Sequence, residues 1–103
     1  MDVTPMDKIY ILKHKLLSDV VKFSISPQPE HEFIKNLTNH KNALSQFLFV
    51  STVECEDPSS VFINIQQSLA LNKAYGEFYQ ISPKEALKVV RREAYRIPIV
   101  QYD

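Results

Sequence analysis

The chain has 103 residues, its 12 lysines and arginines balance 12 aspartates and glutamates, and 45% of its residues are hydrophobic. This length predicts one domain over residues 1–103, and electrical neutrality removes any overall field that would attract nucleic acid or an anionic membrane. One glycine and one cysteine exclude glycine-rich phosphate loops, an intramolecular disulfide framework and a multi-cysteine zinc site.

The N-terminal residues predict a cytoplasmic protein. Met1 to Asp7 include two acids and no apolar run, which is unlike a signal peptide. No segment approaches the length of a membrane-spanning apolar stretch. We therefore expect neither export nor membrane insertion.

The first predicted element is an amphipathic helix over residues 6–21, because apolar residues recur there at spacings of three and four. A strand over residues 8–12 is the alternative, since β-branched and aromatic residues prefer strands. Residues 20–26 are predicted to continue as a short strand, which Pro27 ends.

A second helix is predicted to begin near Pro29, and residues 46–55 then alternate with the period of a strand. Residues 47–65 are interpreted as an antiparallel hairpin around a polar turn. The alternative is one long helix over residues 58–79. The apolar side of the Pro29 helix is predicted to carry Phe33, Leu37, Leu44 and Phe47.

The remaining elements are two helices and a closing strand. A helix is expected over residues 66–79, although Gly76 weakens it. Ser82 and Pro83 are a strong start signal for a helix over residues 83–94. Residues 97–100 are predicted to form an edge strand or a bulge because of Pro98.

These elements together predict an α+β domain with about four helices on a small antiparallel or mixed sheet. The alternative class is a mostly α-helical protein. Whether residues 58–65 are strand or helix stays open at this stage, because both interpretations fit the same apolar pattern.

No catalytic, metal-binding or cofactor-binding constellation is recognised. The three histidines do not stand at metal-ligand spacings, and the acids around Cys55 disfavour the thiolate that a nucleophile needs. Lys13, His14 and Lys15 are the nearest match to a small metal-independent nuclease or toxin. The solvated face of an amphipathic helix explains these three residues more simply.

Charge is segregated along the sequence. Residues 82–96 contain five basic and two acidic residues, whereas residues 53–81 contain four acidic residues and one lysine. Either the two segments pair internally, or the basic helix faces solvent and binds a polyanion such as nucleic acid. The candidate polyanion-binding residues are Lys84, Lys88, Arg91, Arg92 and Arg96.

Aromatic residues cluster with arginines in the last third of the chain, a combination enriched at interface centres. The candidate partner-binding residues are Tyr75, Phe78, Tyr79, Arg91, Arg92, Tyr95 and Arg96. We therefore expect a non-catalytic protein-binding module, such as a small cytosolic inhibitor, immunity-type or regulatory protein. Another protein is the first expected partner, nucleic acid is the alternative, and a homo-oligomer fits the same surface.

Overall fold

The computed structural model describes residues 7–37 and 46–99, without the side chains of Tyr75 and residues 96–99. The described chain contains five strands and three α-helices, with a 3₁₀ turn before the fourth strand. In order they are β1 (Lys8–His14), β2 (Val20–Ser26), α1 (Glu30–Leu37), β3 (Phe47–Glu54), α2 (Pro58–Ser68), the 3₁₀ turn (Ala70–Asn72), β4 (Lys73–Tyr75), β5 (Phe78–Gln80) and α3 (Pro83–Ile99).

The strands form one sheet in the order β3-β1-β2-β5-β4, and every neighbouring pair is antiparallel. The predicted α+β class is therefore confirmed, and the mostly α-helical alternative is wrong. The described residues hold three α-helices rather than about four. β1 replaces the first predicted helix, a 3₁₀ turn and the β4–β5 hairpin replace most of the helix predicted over residues 66–79, and α2 forms where the second hairpin strand was predicted.

The predicted helix over residues 6–21 is wrong, and the strand alternative is right. Ile9 and Ile11 of β1 pack in the core beneath α2 and α3, and Tyr10 and Leu12 pack in the cluster beneath α1, so both faces of β1 are covered. Ile9, Tyr10, Ile11 and Leu12 are all completely buried. A strand buried on both faces is apolar at consecutive positions and loses its period of two, which is why its spacing resembled that of a helix. The strand predicted over residues 20–26 is confirmed as β2.

The predicted hairpin over residues 47–65 is half wrong. Its first strand is β3, but a helix, α2, begins at Pro58. Asp57 caps this helix: its Oδ1 accepts the Ser60 N–H at 3.3 Å and its Oδ2 accepts the Ser60 hydroxyl at 2.8 Å. The alternative therefore had the correct start, but the helix ends at Ser68 and not at residue 79.

The predicted helix over residues 66–79 contains the tail of α2, a 3₁₀ turn and the β4–β5 hairpin. Gly76 lies in the hairpin turn with φ +60°, a left-handed conformation that glycine adopts without steric cost.

The C-terminal helix begins as predicted. Ser82 Oγ accepts the Glu85 N–H at 3.2 Å, as an N-cap should. The predicted strand over residues 97–100 is wrong as far as it is described, because α3 continues through Pro98 to Ile99.

The Pro29 helix is confirmed as α1, with Phe33 and Leu37 buried. Phe47 belongs to β3 instead, and Leu44 lies outside the described residues.

The sheet has two apolar faces, which we call the first face and the second face. Helices α2 and α3 pack on the first face, over a core that includes Ile11, Phe23, Ile65 and Val90. On the second face, α1 covers a smaller cluster made of Tyr10, Leu12, Phe33, Leu37 and Phe47. The short α1 does not extend over the whole of this face, and that leaves a groove there.

Candidate functional site

The predicted tyrosine and arginine surface is divided by the sheet. Tyr79 is 4% exposed and packs in the first-face core, with its ring centroid 5.5 Å from that of Phe23. Phe78, the preceding residue, points to the second face, where its ring centroid lies 5.5 Å from that of Phe47. Neighbouring residues of a strand point to opposite faces, so Phe78 and Tyr79 do not share one surface.

Of the remaining predicted partner-binding residues, Tyr75 lies on β4 and the others lie on α3. Arg91 and Arg92 are exposed, and Tyr95 is 55% exposed. The side chains of Tyr75 and Arg96 lie outside the described residues. The predicted surface therefore keeps its α3 part, while Tyr79 is withdrawn into the core.

The basic residues of α3 form a solvent-facing stripe with few free charges. Lys84, Lys88 and Arg91 are exposed, but the Lys88 ammonium lies 3.4 Å from the Glu85 carboxylate. Arg92 Nε lies 3.2 Å from Oε2 of Glu93, which is 1% exposed.

Both Ser68 Oγ and Arg92 contact Glu93, so this cluster links α2 to α3. Arg92 therefore has a structural partner as well as an exposed position.

The acidic segment does not neutralise α3. Glu77 pairs instead with Lys22 of β2, at 2.6 Å. The hydrogen bond and charge of Lys22 lower the pKa of Glu77. Within residues 7–37 and 46–99, no ion pair joins α3 to Glu54, Glu56, Asp57 or Glu77. The charge segregation of the sequence is thus present on the folded surface.

A second surface, which the sequence interpretation missed, is the loop between β1 and β2. We call residues 15–19 the leucine loop. Leu16 is 87% exposed and Leu17 is 54% exposed. Two adjacent exposed leucines are an unfavourable feature for a folded domain, so their position needs an explanation.

The leucine loop is held at both ends by hydrogen bonds to residues at or next to the ends of β3 and β5. At its start, the Lys15 N–H donates to the Gln46 carbonyl at 2.9 Å. At its end, the Ile81 N–H donates to the Asp19 carbonyl at 2.8 Å. The Gln80 side-chain amide donates to the Asp19 and Ser18 carbonyls at 3.1 and 3.4 Å. Asp19 itself has a positive φ of 55°, which aspartate tolerates better than most residues.

His14 fixes the middle of the leucine loop. Its Nδ1 accepts the backbone N–H groups of Leu16 and Leu17 at 3.0 and 3.1 Å, and its ring packs edge-on against Phe47. Because Nδ1 is an acceptor, the neutral ring carries its proton on Nε2. His14 therefore holds the backbone of this loop in place. The sequence Lys13-His14-Lys15 did not predict this structural role.

A groove on the second face adjoins the leucine loop. Its volume is about 370 Å³, and its walls include Leu17, Ala74 and the half-buried ring of Phe78. Two further clefts, of about 290 and 300 Å³, adjoin the loop and include Leu16 in their walls. The exposed leucines thus stand among concave surfaces that a partner's side chains could fill.

The surroundings of the leucine loop are basic. Lys13 and Lys15 flank His14 and are exposed, and Pro83, which precedes the exposed Lys84, lines one of the clefts. None of these three lysines takes part in an ion pair within the described chain. Asp19 is the one acid among the residues that line the described clefts around the loop.

The described residues support neither a nucleophilic role for Cys55 nor a metal site. Burial and the charge of Asp57 raise the pKa of the Cys55 thiol, which disfavours the thiolate. In the part of the chain that the structure describes, no group of three or more His, Cys, Asp or Glu residues could hold a metal ion. No helix there is long and apolar enough to cross a membrane.

The signal for the leucine loop was present in the sequence but was assigned to a helix face. Leu16 and Leu17 fitted the helical spacing of residues 6–21. The pair Ser18-Asp19, which is typical of turns, stands between two apolar runs and would have indicated a strand–turn–strand unit. Comparison with known proteins gives no further guide: the chain matches no family model, no curated protein and no solved structure.

Proposed function

We propose that this protein is a non-catalytic protein-binding module, and that its binding site is the leucine loop with the adjoining groove. The observation that carries the proposal is the exposure of Leu16 and Leu17, at 87% and 54%, on a loop fixed by hydrogen bonds. Exposed apolar groups beside concave surfaces mark interaction sites more often than ordinary surface does.

The fixed conformation of the loop supports a binding role for the exposed leucines. Binding costs about 0.5–1.5 kcal/mol for each flexible side chain that becomes ordered, and mobile loops add to that cost. The His14 and Gln80 hydrogen bonds order the loop backbone before any partner arrives. The leucines are therefore presented as pre-arranged anchors.

The charges around the loop indicate the chemistry of the partner. Lys13 and Lys15 line a cleft at the leucine loop and are exposed, and the exposed Lys84 follows Pro83, which lines the same cleft. Complementary charge increases association rates and orients a partner. We therefore infer a protein segment that carries apolar side chains next to Asp or Glu.

The polyanion alternative has less support. Of its five residues, Lys88 and Arg92 have carboxylate partners within α3, and the side chain of Arg96 lies outside the described residues. Lys84 and Arg91 remain as exposed cations with no ion pair in the described chain. Two phosphate contacts supply only a weak affinity, with a shallow log–log dependence on salt of about −1.8 for duplex DNA.

Selection from a displayed library of random peptides tests the proposal, because it requires only the chemistry of the partner and not its identity. The library is selected on the wild-type protein and, in parallel, on the double variant Leu16→Ser/Leu17→Ser. The matched control is Ile63→Ser, which changes another exposed apolar residue, on α2. We expect peptides with Leu, Phe or Trp beside Asp or Glu to be enriched on the wild type and the control but not on the double variant.

Two results would contradict this function. One is enrichment of the same peptides on all three proteins, which would move binding away from the leucine loop. The other is a complete lack of enrichment on a wild-type protein that is folded by circular dichroism. Enrichment of basic peptides would contradict the inferred chemistry of the partner.

A further inference from the structure

The two edges of the sheet differ in how they are protected. The β4 edge has three residues, beginning with Lys73, whereas the β3 edge has eight residues and carries one charge, Glu54. Proteins usually shorten edge strands, bulge them or place lysine or proline on them, because an open edge pairs with other chains. Of these devices, β3 has the bulge alone. In the described part of the chain, no strand pairs with the outer edge of β3.

A bulge at the centre of β3 gives this strand an unusual order of faces. β3 pairs with β1, and the register shifts so that Ser51 opposes Ile11 while Phe49 opposes Leu12. Val50 is the extra residue. It packs on the first-face core, as Ile11 does, so Val50 and Ser51 belong to the same face.

The order of faces along β3 is consequently symmetric about the Val50–Ser51 peptide. Two residues at the same distance before and after that peptide belong to the same face of the sheet. Phe49 and Thr52 belong to the second face, Leu48 and Val53 to the first, and Phe47 and Glu54 to the second.

Directly opposed residues of an antiparallel pair must share a face. Two β3 strands from two copies meet this condition over their full length when Val50 opposes Ser51. Sliding the partner strand by two residues in one direction sets Phe49 against Val50. Sliding it by two residues in the other direction sets Ser51 against Thr52. Each of these pairs joins a residue of the first face to a residue of the second face. The bulge therefore selects one self-pairing register.

The charges at the two ends of β3 agree with this arrangement. Lys13 opposes Leu48 near the start of β3, and Lys15 is hydrogen-bonded to Gln46. Glu54, Glu56 and Asp57 lie at the other end, where Lys8 of the same copy opposes Glu54, so that end has three acids and one lysine. An antiparallel pair sets the acidic end of each copy beside the basic end of the other, which is attractive at both ends.

We propose that two copies of this chain associate through β3 about a two-fold axis at the Val50–Ser51 peptide, forming one continuous ten-stranded sheet. An isologous contact of this kind is the commonest way for soluble proteins to form dimers. An eight-residue edge is small beside a standard interface of about 1,600 Å², so we expect a dissociation constant on the order of micromolar.

Sedimentation equilibrium over a concentration series tests the association. We expect a monomer–dimer equilibrium for the wild type, and Glu54→Lys should weaken it about tenfold, because the reversed charge repels the partner's lysines at both ends. Glu77→Lys makes the same charge change on the hairpin at the other edge and should leave the dimer unchanged. A wild-type protein that remains monomeric at every concentration would overturn the proposal.

Disulfide trapping tests the register. Phe49→Cys and Thr52→Cys are made separately in a Cys55→Ala background, mixed, and oxidised. We expect the mixed pair to cross-link faster than either variant alone, since residues 49 and 52 are opposed in the proposed dimer. A dimer that is insensitive to Glu54→Lys and shows no preferential cross-link of the mixed pair would mean that another surface is used.

Discussion

The two faces of the sheet have different consequences for the protein. The first face is covered by α2 and α3 and holds the larger core. The second face is covered by the eight-residue helix α1, beyond which the groove and the leucine loop lie. The contrast separates residues that hold the fold together from residues that are available to a partner.

The largest expected effect belongs to the first face. Ile65 of α2 is completely buried, so Ile65→Ala should lower the free energy of unfolding by about 2–5 kcal/mol. Chemical denaturation followed by circular dichroism measures the change. A loss below about 1 kcal/mol, the cost of a surface substitution or less, would mean that α2 is not packed on the sheet as described.

The next effect concerns the hairpin that carries Phe78 to one face and Tyr79 to the other. A Cβ added at Gly76 would meet nothing within 4 Å, but φ is +60°. Gly76→Ala should therefore lower the free energy of unfolding by about 1–2 kcal/mol through backbone strain alone.

Gly76→Asn is the matched control for the hairpin, because asparagine tolerates the left-handed conformation better. Thermal melts of both variants decide the matter. A more stable Gly76→Ala protein would indicate a helix at this position instead of a turn.

The second face makes a smaller and pH-dependent contribution through Tyr10. Its hydroxyl donates to the Gln28 carbonyl, and its ring stacks on Phe33 at a centroid distance of 3.7 Å. Tyr10→Phe keeps the stacking and removes the hydrogen bond, so we expect a loss of about 1 kcal/mol at neutral pH.

Burial, followed by the charge of Glu30, raises the pKa of Tyr10 above its ordinary value of 10.0. The folded state thus favours the protonated phenol. The stability that this provides is complete below pH 10 and is lost as the pH rises from there through the folded-state pKa, because the unfolded chain ionises first.

The difference in unfolding free energy between wild type and Tyr10→Phe should accordingly shrink in alkaline solution. Urea titrations at a series of pH values measure it. A difference that stays constant, or grows, above pH 10 would contradict the burial of this phenol.

The sequence predicted the elements whose signals are local. The Ser82 cap identified the start of α3, and the alternation over residues 46–55 identified β3. The sequence-based prediction failed where tertiary structure determines the apolar pattern. Burial of β1 on both faces produced helix-like spacing, and the β4–β5 hairpin has strands too short to show a period.

The candidate site was harder to predict than the fold. The clustering of aromatic residues and arginines in the last third of the chain is real, but Phe78 and Tyr79 lie on opposite faces of the sheet. Conversely, Leu16 and Leu17 have the sequence spacing of core residues. Exposure is a property of the assembled sheet, so composition alone could not distinguish a buried leucine from a presented one.

The smallest expected effect on stability, and the largest on binding, belongs to the leucine loop. Because both side chains face solvent, Leu16→Ser/Leu17→Ser should change the free energy of unfolding by no more than about 0.5 kcal/mol. The same variant should lose partner binding. A large loss of stability would show instead that the loop is part of the core.

Calorimetric titration of the three proteins with the best peptide from the library selection tests the central claim most directly. We predict that the double variant Leu16→Ser/Leu17→Ser binds at least about tenfold more weakly than wild type, since full burial of one leucine side chain contributes about 1.5–3 kcal/mol and tenfold corresponds to about 1.4 kcal/mol. Ile63→Ser should bind as the wild type does. Equal affinity of all three proteins would contradict the assignment of the binding site to the leucine loop and its adjoining groove.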